Sequence, residues 1–349
     1  MAKIRIGVAG LGRIGWGFHA KGLAKHPDFE LVAVADMEAE RRAQAEAELK
    51  CKAVGQLDEL IGAGLDAVVI ATPTHLHKDM AVKAFSKGLH VLLEKPMALN
   101  PDEAKTIVKA SEAAGKKLTV YQPHRLAAYF LHLRKIVESG KIGRVYWVRT
   151  GMFNYARRND WQSLVKFGGG MLNNYGAHGV DQLLGLVGFD VKRVFCDMMR
   201  VATLGDADDV VKIVMETREG VVAEVEISMA SALNPYKMMV WGTHGGILYN
   251  GGMSSGTFEV RSFDPASLPP KDLNEKLAST NREYPADDIK FAEEKIPMDP
   301  SLGIDVFADF AASIRTGAAP AVKPAETLAV MDVLERCRKD SGEIRDFTG

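Results

Sequence analysis

The stretch IRIGVAGLGRIG, residues 4–15, passes from an unbroken apolar run into three glycines spaced Gly10-x-Gly12-x-x-Gly15. A short apolar run without polar alternation has the look of a strand buried on both faces. The glycines after it have separate steric roles. Gly10 permits a tight turn, Gly12 lets backbone approach a pyrophosphate, and Gly15 lets the following helix pack against the strand. The anion then sits at the helix N-terminus. Arg13 and Ile14 complete this candidate dinucleotide loop.

Working outward, the runs ELVAVAD (30–36), DAVVIAT (66–72), HVLLEK (90–95) and KLTVYQ (117–122) repeat the strand signal. Amphipathic stretches such as AERRAQAEAEL and HKDMAVKAFSKG lie between them. Strand and helix alternating in this way predict a doubly wound parallel sheet with right-handed crossovers, an α/β Rossmann unit over residues 1–123. Asp36 closes the second run, about twenty residues beyond the last glycine, where a carboxylate meets the adenosine ribose hydroxyls. A carboxylate there accepts from those hydroxyls and repels a 2′-phosphate, which favours NAD over NADP; Arg41 and Arg42 downstream pull the other way. Asp36 also suits a helix N-cap.

Past residue 143 the texture changes. VYWVRTGMF, VKRVFCDMMRV, DVVKIVMETREGVVAEVEISMA and YKMMVWGTHGGILYN alternate apolar and polar positions. Glu219-Gly220 and His244-Gly245-Gly246 supply hairpin turns. Residues 124–349 are therefore expected to form an α+β domain on a mixed, largely antiparallel open sheet. Residues 262–300, polar and proline-bearing, read as a surface excursion, and helices are expected near 304–316 and 324–340.

Composition narrows the function classes. The 349 residues carry a net charge of −1 and no basic run, so no nucleic-acid or membrane partner is expected. Cys51, Cys196 and Cys337 are odd in number and far apart, which suits a reducing compartment. The opening MAKIRIGVAG lacks the pattern of a secretory leader, and no apolar run nears the roughly 20 residues of a membrane span. A cytoplasmic protein is expected.

Two further stretches carry chemistry. Glu94-Lys95-Pro96 ends the strand HVLL, and open parallel sheets bind ligands beyond the carboxyl ends of their strands. A lysine there can bond a substrate hydroxyl and stabilise a developing alkoxide. GGGMLNNYGAHGVDQL, residues 168–183, presents His178 after a glycine run that reads as a mobile loop. Asp181 follows on one helical face, suited either to orienting the imidazole or to being an acid near the helix start. His75-x-His77 lacks a third ligand at metal spacing, so no metal is expected.

The ordered landmarks GLGRIG, ATPTHLH (71–77), EKP (94–96) and the G-G-x-L…G-x-H-x-x-D run (169–181) resemble the glucose–fructose oxidoreductase/inositol dehydrogenase/rhizopine-catabolism (Gfo/Idh/MocA) family of NAD(P)-dependent oxidoreductases. The resemblance covers roughly the first 185 residues. DFAASIRTG and PAETLAVMDVLE near the end also resemble its C-terminal pattern. It implies Lys95 and His178 as catalytic acid/base pair, with Asn174 where the family usually has Asp. Thr72, Pro73, Thr74, His77, Glu94 and Gln122 match cofactor-lining positions. An exposed face of the second sheet packs against another subunit in the resembling proteins, which implies a homodimer or homotetramer.

Tyr155, Arg157, Arg158 and Trp161 precede the glycine run. With Asn174 and His178 they suit a polyhydroxylated ligand that stacks and hydrogen-bonds, or else a solvated loop with one buried Trp. The expected activity is NAD-dependent oxidation of a secondary alcohol of a sugar, polyol or sugar derivative. Two alternatives stand beside it: a redox-neutral NAD enzyme that cleaves or isomerises a glycoside, and a non-catalytic protein that senses NAD and sugar.

Overall fold

A computed structural model describes residues 2–275 and 287–348. The glycine-bearing turn leaves the first strand of a six-stranded sheet. Its strands are β1 (Ile4–Ala9), β2 (Phe29–Ala35), β3 (Lys52–Val54), β4 (Ala67–Ile70), β5 (His90–Leu93) and β6 (Leu118–Val120). They lie in the order β3-β2-β1-β4-β5-β6, and every pair is parallel. The order reverses at β1 and β4, opening a crevice at their carboxyl ends. Ala67–Ile70 and Val91–Leu93 are fully buried, as their unbroken apolar runs require. β3 is the strand that the sequence reading omits. Three residues, Lys-Ala-Val, carry no period of their own, and pairing with β2 makes them a strand.

Among the described residues the second sheet has nine strands: β7 (Val145–Phe153), β8 (Val191–Arg200), β9 (Val210–Thr217), β10 (Val222–Ser228), β11 (Met238–Gly242), β12 (Gly245–Tyr249), β13 (Thr257–Ser262), β14 (Ala292–Pro297) and β15 (Arg345–Asp346). The order is β14-β13-β12-β11-β7-β10-β9-β8-β15. Only β7/β10 and β8/β15 are parallel, so the sheet is mixed and mostly antiparallel, as expected. Both glycine hairpins fall where they are read, between β9 and β10 and between β11 and β12. The expectation of a bare excursion over 262–300 is corrected at its end. Ala292–Pro297 pairs antiparallel with β13 as an edge strand, its mostly exposed side chains hiding the period-two signal. Part of that stretch lies outside the described residues.

Val148, Thr150, Ala223, Val225 and Ile227 line the inner face of this sheet. The helix Ala177–Val187 lies on it so closely that a Cβ at Gly179 would sit 2.6 Å from a Val225 methyl. Two C-terminal helices join the halves. Val306–Thr316 returns to the first sheet, where Phe310 stacks on Phe29 at 6.4 Å and Val306 and Ala311 share a core with Ile6 and Val8. Pro324–Ser341 packs against β8, the helix Ala177–Val187 and the helix Pro101–Ala113. Among the described residues no helix is long and apolar enough to cross a membrane.

Close packing at the first turn is severe. A Cβ at Gly15 would lie 1.9 Å from the Gly10 carbonyl oxygen. Gly15→Ala is expected to destabilise the protein by about 1–3 kcal/mol through overpacking and to weaken NADH binding. Differential scanning fluorimetry and an NADH fluorescence titration check both effects.

Candidate active site

The glycine turn forms a cradle. Gly10 takes φ +91°, and a side chain there would meet the Ala71 carbonyl oxygen at 2.6 Å. At Gly12 the space a Cβ would occupy has no neighbour within 4 Å. The loop is thus tight beneath and open above, which fits a diphosphate laid across it. Arg13 is exposed and Ile14 partly buried at its rim. Asp36, at the end of β2, accepts from Leu11 N at 2.7 Å and from Glu38 N at 2.9 Å, and Arg41 Nη1 stands 3.3 Å from its Oδ2. Arg42 donates to the carbonyls of Asp36 and Met37. These residues fit a dinucleotide, with the Asp36 carboxylate as the acceptor for a ribose.

Across the crevice, β5 delivers Lys95. Its ammonium donates to Asn174 Oδ1 at 2.7 Å and to the Asn174 carbonyl at 3.0 Å. Burial pulls the Lys95 pKa down to about 8; Glu94 opposes the shift, and Arg13 and Arg158 add to it. Glu94 itself turns away from solvent to His19 Nε2 at 2.7 Å. His19 is fully buried in the helix after the glycine turn, edge-on to Tyr121. The sequence reading overlooks it, although a histidine one turn past Gly15 on a helix packed against the sheet was a readable signal. His77 bridges two loops, its ring nitrogens 2.9 Å from the Thr72 carbonyl and 3.0 Å from that of Pro96. Thr74 is buried, Pro73 begins the same short helical turn, and Thr72 Oγ1 contacts Met80 Sδ.

The glycine run before His178 is packed tightly rather than presented as a loose loop. Gly170 has φ +101°, and a Cβ there would fall 2.1 Å from Asp208 Oδ1. Asp208 in turn accepts from Leu172 N at 2.7 Å, fixing the start of the turn Leu172–Gly176 that carries Asn174.

His178 Nδ1 lies 2.7 Å from Gln122 Oε1. The Gln122 amide nitrogen faces the Ala177 carbonyl, so Oε1 is the acceptor and Nδ1 carries the hydrogen. Nε2 then holds the free lone pair and has no partner among the described residues. Burial first, then Lys95 and His124, drive the His178 pKa well below its usual value. His124 stacks on the ring at 4.3 Å. The option of Asp181 as ring orienter is corrected here. Asp181 is fully buried against Arg125, whose Nε is 3.1 Å away and whose Nη1 also holds Glu326 at 2.7 Å. Burial pushes Asp181 up to about 7, with Arg125 opposing. One short segment thus takes His178 by Gln122 and Asp181 by Arg125, so Gln122 does the orienting.

Tyr155, Arg157 and Trp161 lie exposed along residues 155–161, and the hydrogen bonds of Lys95 and His178 go to Asn174 and Gln122 instead. The member of that cluster whose charge reaches Lys95 is Arg158, which is paired with Asp160 and Gln162. The inner side of the site is instead lined by His124, Tyr175 and Lys237, none of which has a recognisable motif.

Residues 4–122 match the family model described as "Oxidoreductase family, NAD-binding Rossmann fold", and residues 130–248 match the GFO/IDH/MocA C-terminal domain. The chain belongs to the GFO/IDH/MocA oxidoreductase family. An uncharacterized oxidoreductase of Schizosaccharomyces pombe is 32% identical over 195 residues, 54% of this chain and 53% of that protein. The chain thus spans about half the length of that relative. The scyllo-inositol 2-dehydrogenase (NAD(+)) of Bacillus subtilis is 28% identical over 70% of this chain and 73% of its own. The 2,7-anhydro-N-acetylneuraminate hydratase of Escherichia coli is also 28% identical, over 74% and 70%. Among solved structures, an NAD-binding protein from Listeria innocua superposes with a TM-score of 0.83 at 23% identity, covering 98% of both chains. The WlbA dehydrogenase of Bordetella pertussis, solved with NADH and UDP-GlcNAcA, gives 0.78 at 25% identity over 97% of each chain.

Within this family member, an amide at 174 leaves Lys95 without an anion on that side. A carboxylate in hydrogen-bond reach favours the ammonium form. Asn174→Asp is therefore expected to raise the Lys95 pKa above about 8 and move the alkaline limb of the pH–rate profile to higher pH. Initial rates from pH 6 to 10 check the sign.

Proposed function

We propose that this oxidoreductase is an NAD-dependent dehydrogenase that oxidises a secondary alcohol of a sugar, polyol or sugar derivative, with Lys95 and His178 as its acid/base pair. The observation that carries this reading is the Gln122–His178 hydrogen bond at 2.7 Å, which leaves a neutral imidazole with a free Nε2. Such a nitrogen takes a hydroxyl proton as the carbinol carbon is oxidised. Lys95 directs two of its three N–H donors at Asn174, which leaves one for the substrate oxygen. Its positive charge stabilises the alkoxide. NAD, when bound, would supply the hydride acceptor for the oxidation and, reduced, the hydride donor for its reversal. Gly10, Gly12, Gly15 and Asp36 would hold it, with Thr72, Pro73, Thr74, His77 and Gln122 framing the reactive end. Asp36 favours NAD over NADP, since a 2′-phosphate beside its carboxylate is repelled.

The test is NADH absorbance with purified protein, NAD or NADP, and a panel of polyols, aldoses, inositols and sugar acids. Lys95→Ala is expected to remove turnover by at least about 10²-fold while NADH still binds. Retained turnover removes Lys95 from its role. With Lys95 near pH 8, oxidation should fall as pH rises through about 8 and the ammonium is lost. A second reading, a redox-neutral reaction on held NAD, draws support from the hydratase relative and from Asn174. It predicts substrate loss by mass spectrometry with a flat NADH trace.

A homo-oligomer is proposed on the outer face of the second sheet. Trp147 and Trp241 pair there at 5.8 Å, and Phe195 is 55% exposed. Exposed aromatic side chains set among the Arg149, Glu224 and Lys212 charges make a mixed face of the kind that subunit interfaces use. Size-exclusion chromatography with light scattering should give a mass of at least two chains. Three buried free thiols suit a reducing, cytoplasmic setting.

A further inference from the structure

We propose that the substrate carries a carboxylate, as a sugar acid does, and that Lys237 is the residue that selects it. The proposal rests on the dehydrogenase site described above and names its substrate class.

Beside His178, between the inner sheet face and the helix Ala177–Val187, lies a cavity of about 30 Å³. His124, Tyr129, Thr150 and Lys237 line it with His178. A water needs roughly 10–15 Å³ of such volume, so the space matches about two waters, the bulk of a carboxylate.

Lys237 is there because the chain breaks its own alternation. Met238 and Val240 pair with Thr150 and Val148 and face inward, so strict alternation would turn Lys237 outward. A bend at Lys237 reverses this. Tyr236 goes to the outer side, where its hydroxyl donates to Glu226, and Lys237 turns inward to place its ammonium 4.1 Å from the Tyr129 ring centroid.

That ammonium has no hydrogen-bonding or ionic partner among the described residues. Burial alone pulls its pKa down to about 8, with no carboxylate to offset the shift. Glu226, the acidic residue along the cavity wall, is drawn to Tyr236, Lys212 and Arg149 on the other face. Lys237 shares the cavity lining with His124 and His178, whose rings stack at 4.3 Å, and burial first, then Lys237 and Lys95, lower the His124 pKa. An unpaired, half-buried charge is unfavourable until an opposite charge arrives. A ligand whose hydroxyl meets Lys95 and His178 while its carboxylate enters the cavity supplies that charge. A neutral polyol does not.

The experiment uses matched pairs: D-gluconate with D-glucitol, D-glucuronate with D-glucose, and D-galacturonate with D-galactose. Calorimetry measures their binding to the NADH-loaded protein, and absorbance follows NAD reduction. In at least one pair the acid should bind tenfold or more tighter than its neutral partner. Lys237→Met should bring that ratio near one, Lys237→Arg should largely keep it, and both variants should bind NADH like the parent, which reports on folding. The proposal is overturned if no acid binds, if neutral members bind as well as the acids, or if Lys237→Met keeps the preference. Lys237-dependent acid binding without NAD reduction would sink the dehydrogenase reading and leave this one standing. NAD reduction by neutral polyols with no preference for acids would do the reverse.

Discussion

The bond from the Lys95 ammonium to Asn174 Oδ1, at 2.7 Å, is the constraint on which the site depends. It spans from the end of β5 in the first sheet to the turn that precedes the His178 helix on the second. It forms only if both ends are held, and each end has its own buried support. Glu94 locks on His19 and His77 bridges the Thr72 and Pro96 carbonyls on one side. On the other, Asp208 fits against Gly170 and takes the Leu172 amide. Buried residues behind the crevice therefore decide where the Lys95 ammonium stands.

The electrostatics follow from burial more than from pairing. Lys95, His124, His178 and Lys237 all lose proton affinity because water is excluded around them. A neutral imidazole and an ammonium thus stand in one enclosure, a proton acceptor beside a proton donor. Asn174 in place of a carboxylate keeps the balance on the positive side. A buried ionic cluster lies behind it, where Arg125 joins Asp181 and Glu326 and ties the His178 helix to the C-terminal helix. Removing one partner from such a cluster strands a charge, which is why these groups hold position rather than tune chemistry.

Much of the fold was legible because it rests on local physics. Unbroken apolar runs marked β1, β2, β4, β5 and β6, and alternation with glycine hairpins marked β7–β12. β3, β13, β14 and β15 escaped: β3 and β15 are three and two residues long, and β14 exposes most of its side chains. In the site, Lys95 and His178 stood out by position and resemblance. His19, His124 and Lys237 did not, since a lone polar residue has no period. The glycine run at 168–170 read as looseness, yet it serves close packing.

What the sequence determined alone was whatever short-range sterics impose: a turn that only glycines close, an acid at the end of β2, a lysine at the end of β5. Which atoms meet was left to the tertiary structure. Gln122 reaches His178 across 56 residues and Lys95 reaches Asn174 across 79. The choice of Gln122 rather than Asp181 as ring orienter, and the inward turn of Lys237, depend on how two sheets and three helices pack. A hydrogen bond or a buried charge is decided by what packing leaves beside it, and no local pattern encodes that.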